Sequence, residues 1–380
     1  MIISKIELFH INIPIDEPFQ PAWIPGYTQS RSGYTLLKLT TDTGITGISV
    51  GLAFAKEHSG IGTMVGPYLL GIDPEDTEKF HKRLVEGSYF GLRNFWMDTA
   101  IYDIIGKIKG EPIWKVIGGK KQAIPAYWAS AEVCEPEKHM KIIEKARDEG
   151  FKGVKLRIHA DTVEKDVEVI NQTRKLVDAN YPLMIDANQG AHVSIAGFVP
   201  IWTLERAKKF TEGIKDSNIF WLEEPLEMRK FEEIAELREH MNLLGIKLAG
   251  GELNYGWNDV RMMLHFGSYD IYQSDITTYG MYDNIKCIKT VMDRGLKYTP
   301  HAGSNTLGLL INMHCYSLSD YTIPLEYSYR SSSYNHSLLK NPPKPEDGYL
   351  ELPDEPGLGI EIDWEKVEQY GEKFFELERT

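Results

Sequence analysis

Asp186, Glu223 and Glu252 each stand at the end of a short apolar run, in Pro182–Asn188, Ile219–Glu223 and Ile246–Glu252, and the same holds for Asp275, His301 and Glu326 further along. Upstream, Lys155 and Arg157 close the run Gly153–Ile158. These ionisable residues recur at intervals of about 23 to 37 residues, the length of one strand and its following helix. A merely solvated charge pattern has no reason to track the ends of apolar runs. Three carboxylates brought together from Asp186, Glu223 and Glu252 make an all-oxygen donor set of the kind that holds Mg²⁺, with Mn²⁺ as a substitute. Zinc is disfavoured because no histidine lies among them. Without a cation, three such charges in one concavity repel, and one of them must take a proton.

The elements that position these residues follow from the hydrophobic pattern. In Ile219-Phe220-Trp221-Leu222-Glu223-Glu224-Pro225, four apolar residues read as a buried parallel strand, and Pro225 ends it. Similar runs occur at Ile124–Ala129, Gly153–Ile158, Pro182–Asn188, Ile246–Glu252, Asp270–Asp275, Lys297–His301 and Ile323–Glu326. Helix-patterned stretches lie between them, among them Glu135–Asp148, Leu204–Ile214, Phe231–Met241, Asn258–Phe266, Tyr282–Arg294 and Leu307–Leu318. Strands alternating with helices predict an α/β fold closed as a parallel barrel, whose chemistry gathers at the C-terminal ends of the strands. No GxGxxG follows a strand and no Walker A pattern is present, which argues against an open nucleotide-binding sheet.

The first 50 residues have a different character. Ile3–Ile13 is rich in β-formers, and Tyr34–Thr40 meets Ile45–Val50 across Thr41-Asp42-Thr43-Gly44 as a hairpin. Between them, Gln20–Gly33 carries Trp23 and Tyr27 in a loop long enough to expect a function. Helical patterning then runs from Ile61 to Lys109, strongest over Met97–Lys107, and Gly118-Gly119-Lys120 ends it. This predicts a capping unit over residues 1–122, a barrel over 123–335 and a terminal segment over 336–380.

A net charge of −13 argues against nucleic acid or an anionic membrane as partner, and an anionic substrate would need a local positive centre such as a metal. Cys134, Cys287 and Cys315 are odd in number and widely spaced, suggesting neither disulfides nor structural zinc. With no leader-like start and no long apolar run, the expectation is a reducing, cytoplasmic setting.

In their order, Lys155-Leu156-Arg157, Asp186-Ala187-Asn188, Trp221-Leu222-Glu223-Glu224-Pro225, Gly251-Glu252, Gln273-Ser274-Asp275, Pro300-His301 and Leu325-Glu326 resemble the enolase superfamily, mandelate racemase subgroup, along the whole chain. The resemblance implies a (β/α)7β barrel with an α+β cap completed by the C-terminal segment. It also implies Mg²⁺ on Asp186, Glu223 and Glu252, a small-molecule carboxylate substrate, and loss of the α-proton through an enediolate. His301 becomes the candidate base, oriented by Asp275. Glu326 matches an acid that donates to a substrate carboxylate oxygen, which requires it to be protonated. A homo-oligomer is expected from the architecture.

Two departures matter. Where the family pattern commonly has Lys-x-Lys, this chain has Lys155 and Arg157, and an arginine with a pKa above about 12 grips oxygens better than it moves protons. A one-base dehydration of an acid sugar to a 2-keto-3-deoxy acid is therefore favoured. Racemisation or epimerisation is second, and a degenerate, non-catalytic barrel third. Residues 191–201 form an apolar insertion after Asp186-Ala187-Asn188-Gln189-Gly190, expected either to shape specificity or to form a subunit contact. Trp23, Tyr27, Asn188, His159, His192 and Phe198 are the candidates for a substrate wall.

Overall fold

Among the described residues, two sheets carry the chain, and the first is antiparallel. Ile3–Phe19 (β1) pairs with Gln29–Thr41 (β2), which pairs with Thr46–Leu52 (β3). The computed structural model describes residues 1–52, 58–302, 305–328 and 336–380. Leu37 and Leu39, paired with Ser49 and Gly47, are buried on the face beneath the helix Thr99–Lys109, whose Ala100 and Ile104 sit against Gly47, while Leu36 and Val50, paired with each other, are buried on the opposite face. The loop between β1 and β2 is shorter than the sequence pattern suggests, spanning 20–28, because Arg31, Ser32 and Gly33 already pair with Pro14, Ile13 and Asn12.

The second sheet is the barrel. Its parallel strands are Ile124–Val133 (β4), Val154–Arg157 (β5), Leu183–Asp186 (β6), Ile219–Glu223 (β7), Lys247–Gly250 (β8), Ile271–Tyr272 (β9), Lys297–Tyr298 (β10) and Leu325–Ser328 (β11). They run in the order β10-β9-β8-β7-β6-β5-β4-β11, and at the seam Thr299 Oγ1 donates to Pro324 O at 2.8 Å. A helix follows each strand from β4 to β10, giving (β/α)7β. The strands are buried on both faces, as parallel strands covered by helices must be. Tyr349–Leu350 (β12) pairs antiparallel to β4, outside this path.

The chain then returns to the first sheet. Gly371–Glu378 (β13) pairs antiparallel with β1, from Lys5↔Glu378 to Ile11↔Gly371. The residue-335 boundary expected from sequence lies outside the described residues. Asp98 joins cap to barrel: its carboxylate accepts Met281 N–H at 2.6 Å and Tyr282 N–H at 3.0 Å, capping the helix Met281–Asp293. The hydroxyl of Tyr255, three residues beyond Glu252, accepts Asn94 N–H at 2.9 Å and donates to Leu92 O at 3.2 Å. Cys134, Cys287 and Cys315 are buried free thiols. Among the described residues, no helix is long and apolar enough to cross a membrane.

Several strand ends differ in detail from the sequence reading. β4 runs on to Val133, while β8, β9 and β10 stop at Gly250, Tyr272 and Tyr298. Glu252, Asp275 and His301 therefore lie on the loops just past their strands, and Glu326 lies within β11. Chain direction, which burial pattern reveals, sets the end of the barrel on which they stand; ladder length, which it does not, sets how far past the strand they sit.

Candidate active site

Register brings the first three groups level. Arg157 pairs with Asp186 across β5 and β6, and Asp186 with Glu223 across β6 and β7, so they form a row on three neighbouring strands about 4.8 Å apart. The backbone beside each acid is unusual. Asn188 (φ 49°) and Glu224 (φ 44°) follow Asp186 and Glu223, and Gly251 (φ 108°) precedes Glu252. Asparagine tolerates the left-handed region, but glutamate does so only at a cost of about 1–3 kcal/mol, a strain characteristic of functional sites.

Lys155 sits fully buried among acids, its Nζ 2.6 Å from Glu223 Oε1, 2.9 Å from Glu326 Oε1 and 3.6 Å from Asp186 Oδ2. Burial opposes its charge, but Glu223 and Glu326 outweigh that and hold it well above the ordinary lysine value. Arg157 Nη1 donates to Asp186 Oδ2 and, at 3.2 Å, to Asn188 Oδ1, while Nε donates to Ser130 O at 2.8 Å. The other Glu223 oxygen accepts Trp221 Nε1 at 3.1 Å and Gln273 Nε2 at 2.9 Å. On the far side, His301 Nδ1 stands 2.8 Å from Asp275 Oδ2, and its Nε2 is 3.4 Å from Glu252 Oε2 and 3.9 Å from Glu326 Oε2.

Negative charge is in excess here. Burial, incompletely offset by Arg157 and reinforced by Glu223, pushes Asp186 up to about 7. Burial and then the neighbouring Glu252 and Asp186 raise Glu224 well above the carboxylate range, and its Oε1 is buried without a hydrogen-bond partner. Burial raises Glu252 as well, against His301. Burial works against the charge of His301, yet Glu252, Glu326 and Asp275 hold it well above 6.5. Glu326 departs from expectation. Burial would favour its neutral form, but Lys155, His301 and Arg157 hold it down to about 2, so it is ionised and accepts Ala302 N–H at 3.0 Å rather than acting as a protonated donor.

Among the described residues, the side chains as placed form no ready-made cluster of three metal-ligating groups. Asp186 and Glu223 have turned their oxygens onto Arg157, Lys155, Trp221 and Gln273. The donor chemistry nonetheless fits a hard cation: the set is all oxygen, and burial with repulsion from neighbouring carboxylates pushes Asp186 and Glu252 toward protonation, the imbalance a divalent charge would relieve.

The remaining candidates separate. The guanidinium of Arg157 lies 5.4 Å from the Trp23 ring centre, placing the cap loop at the mouth. His159 is half-buried, and burial lowers its pKa. Tyr27 is exposed, as is Phe198, which meets the His192 ring edge-on at 6.2 Å. Tyr127, Trp221, Glu224 and Gln273 also belong to the site. Trp221 and Gln273 stand two residues before Glu223 and Asp275, a same-face spacing that could have flagged them. Tyr127, whose ring lies 5.8 Å from Lys155 Nζ, carried no such signal.

Two family models match the chain: the N-terminal domain of the mandelate racemase/muconate lactonizing enzyme family over residues 5–118, and the enolase C-terminal domain-like family over 140–367. Arabinonate dehydratase of Saccharolobus solfataricus is 26% identical, covering 91% of this chain and 93% of that protein. D-galactarolactone cycloisomerase of Agrobacterium fabrum is also 26% identical, covering 97% and 99%. The crystal structure of L-talarate/galactarate dehydratase from Salmonella typhimurium LT2, liganded with Mg and L-lyxarohydroxamate, superposes with a TM-score of 0.84 at 20% identity, covering 100% of this chain and 95% of that one. With matches across both its cap and its barrel, this chain belongs to the mandelate racemase/muconate lactonizing enzyme family of the enolase superfamily.

Proposed function

We propose that this enzyme removes the proton alpha to a carboxylate and that the net reaction is dehydration of an acid sugar to a 2-keto-3-deoxy acid. The observation that carries the reading is the His301–Asp275 pair, 2.8 Å apart, across the acid row from Lys155 and Arg157. With Nδ1 tied to Asp275, Nε2 is the atom left to exchange protons at the mouth. Asp186, Glu223 and Glu252 are the residues that would hold Mg²⁺, and the cation, when bound, would neutralise the charge building on the substrate carboxylate. Glu252, foremost among the carboxylates that keep His301 protonated, would release that hold on engaging a cation; with Nε2 then unprotonated, His301 takes the α-proton and returns a proton to the hydroxyl on the next carbon. That C–O bond breaks, water leaves, and the enol so formed ketonises. Arg157 stays charged and grips substrate oxygens, with Asn188 beside it.

One feature favours a second reading, a racemase or epimerase. Lys155 and His301 flank the same carboxylate, Glu326, at 2.9 Å and 3.9 Å, so two proton-carrying groups face one locus. Incubation with a panel of mono- and diacid sugars separates the readings. Formation of a 2-keto acid is expected with Mg²⁺ and not after chelation. Inversion at the α-carbon without keto product would overturn the dehydratase reading in favour of the isomerase.

A further inference from the structure

The insertion at 191–201 leaves the barrel and comes back to nearly the same place. At its base Trp202 N–H donates to Gln189 Oε1 at 2.9 Å, and Met228 N–H donates to Gly190 O at 3.0 Å. Its tip meets the cap loop main chain to main chain. A Cβ added at Gly197 would fall 2.8 Å from Pro25 O, and one added at Gly26 would fall 2.7 Å from Ala196 O. Gly26, at φ +78°, needs glycine for its backbone alone. Gly197 has no such requirement, so its missing side chain marks the contact itself.

The cap loop has a second anchorage. Ala22 N–H donates to Ala131 O at 2.9 Å, and Gln20 N–H to Glu132 Oε1 at 3.1 Å, both on β4. Trp23 lies between that anchorage and the Gly26–Gly197 contact, against Arg157. Arg157 in turn bonds Asn188, three residues before the insertion begins. The path from insertion to cap loop to Arg157 and back is closed. Ile195, Phe198 and Ile201 are 86%, 72% and 58% exposed, so the segment is held by its base and this contact rather than by an apolar core of its own.

We propose that residues 191–201 are a positioning brace that sets where Trp23 lies over Arg157, and thereby which acids the mouth admits. Selection among acids rests on the proposed reaction; the bracing of Trp23 does not. Gly197→Ala in the full chain forces the two main chains apart, since backbone atoms cannot rotate away. Removal of residues 191–201, with Gly190 joined to Trp202 across the existing base, is the second variant. Acrylamide quenching of Trp23, read as the difference between each protein and its Trp23→Phe counterpart, is expected to rise at least about twofold in both as the loop opens locally. With the acid-sugar panel, the ratio of kcat/KM between the best and next-best acid is expected to shift by about tenfold, modest beside the roughly 100-fold that a 1 Å misplacement can cost. Unchanged quenching in both variants overturns the brace. Raised quenching with unchanged ratios overturns its role in selection. If the unaltered enzyme turns over no acid on the panel, the proposed reaction fails, and quenching alone decides whether the brace holds Trp23.

Discussion

At Asp275 the two carboxylate oxygens do different work. Oδ2 takes the imidazole of His301, while Oδ1 accepts Thr277 N–H and Thr277 Oγ1–H at 2.8 Å and Asn312 Nδ2–H at 2.9 Å. In Asp275→Asn the amide oxygen can keep the Oδ1 partners, leaving its NH₂ toward the ring. Nδ1 must then accept, the ring proton moves to Nε2, and the proton acceptor at the mouth is lost. A fall in kcat of about 10²- to 10⁴-fold is expected, with little change in the thermal midpoint. A variant with near-normal turnover would remove this pair from the mechanism. Tyr127, within its strand, was not legible in the sequence, whereas the candidate acids, His301 and the Lys155/Arg157 pair were, because they stand at the ends of apolar runs. Their charge states were not: the reversal at Glu326 depends on Lys155 and His301, which approach from other strands.

One turn of helix links the two sides of the site. Ile276–Tyr279 starts at its N-cap Asp275, and its last residue, Tyr279, donates its hydroxyl to Gly251 O at 2.6 Å. Gly251 holds φ 108°, and the next residue is Glu252. The element that orients His301 therefore also fixes the loop of a proposed cation-binding acid. Tyr279→Phe leaves Gly251 O without that donor in a buried site, yet does not touch the bonds around Asp275. Calorimetric Mn²⁺ titration is expected to show affinity weakened by about 10- to 100-fold, as when the partner behind a metal ligand is removed. Undiminished affinity would reduce Tyr279 to packing. The long elements were legible from period, and the helix Leu204–Ile214 matches to the residue. This short turn was not: four residues show no periodicity, and its purpose is a contact 28 residues back in the chain. The brace at 191–201 escaped for the same reason, since a close backbone approach shows in sequence only as two glycines.

Across the whole molecule, one histidine ties cap, barrel and terminal segment together. His314, buried on the barrel helix Thr306–Tyr316, accepts Trp114 N–H on Nδ1 at 3.2 Å and faces Leu358 O with Nε2 at 3.1 Å, so the neutral Nε2–H form satisfies both. A proton on Nδ1 would break the first bond. Burial accordingly lowers its pKa to about 4, against the carbonyl of Leu358. The folded chain thus binds this proton less readily than the unfolded chain, whose histidine titrates near 6.5. The contribution to stability is intact above pH 6.5 and is lost as the pH falls from there through about 4, at about 1.4 kcal/mol per pH unit and up to about 3 kcal/mol in all. His314→Gln can accept from Trp114 and donate to Leu358 without titrating. Urea unfolding at a series of pH values is expected to show the unaltered chain losing stability more steeply than the variant across that window, by close to one proton. Parallel curves would mean that this joint between cap, barrel and terminal segment does not sense acid.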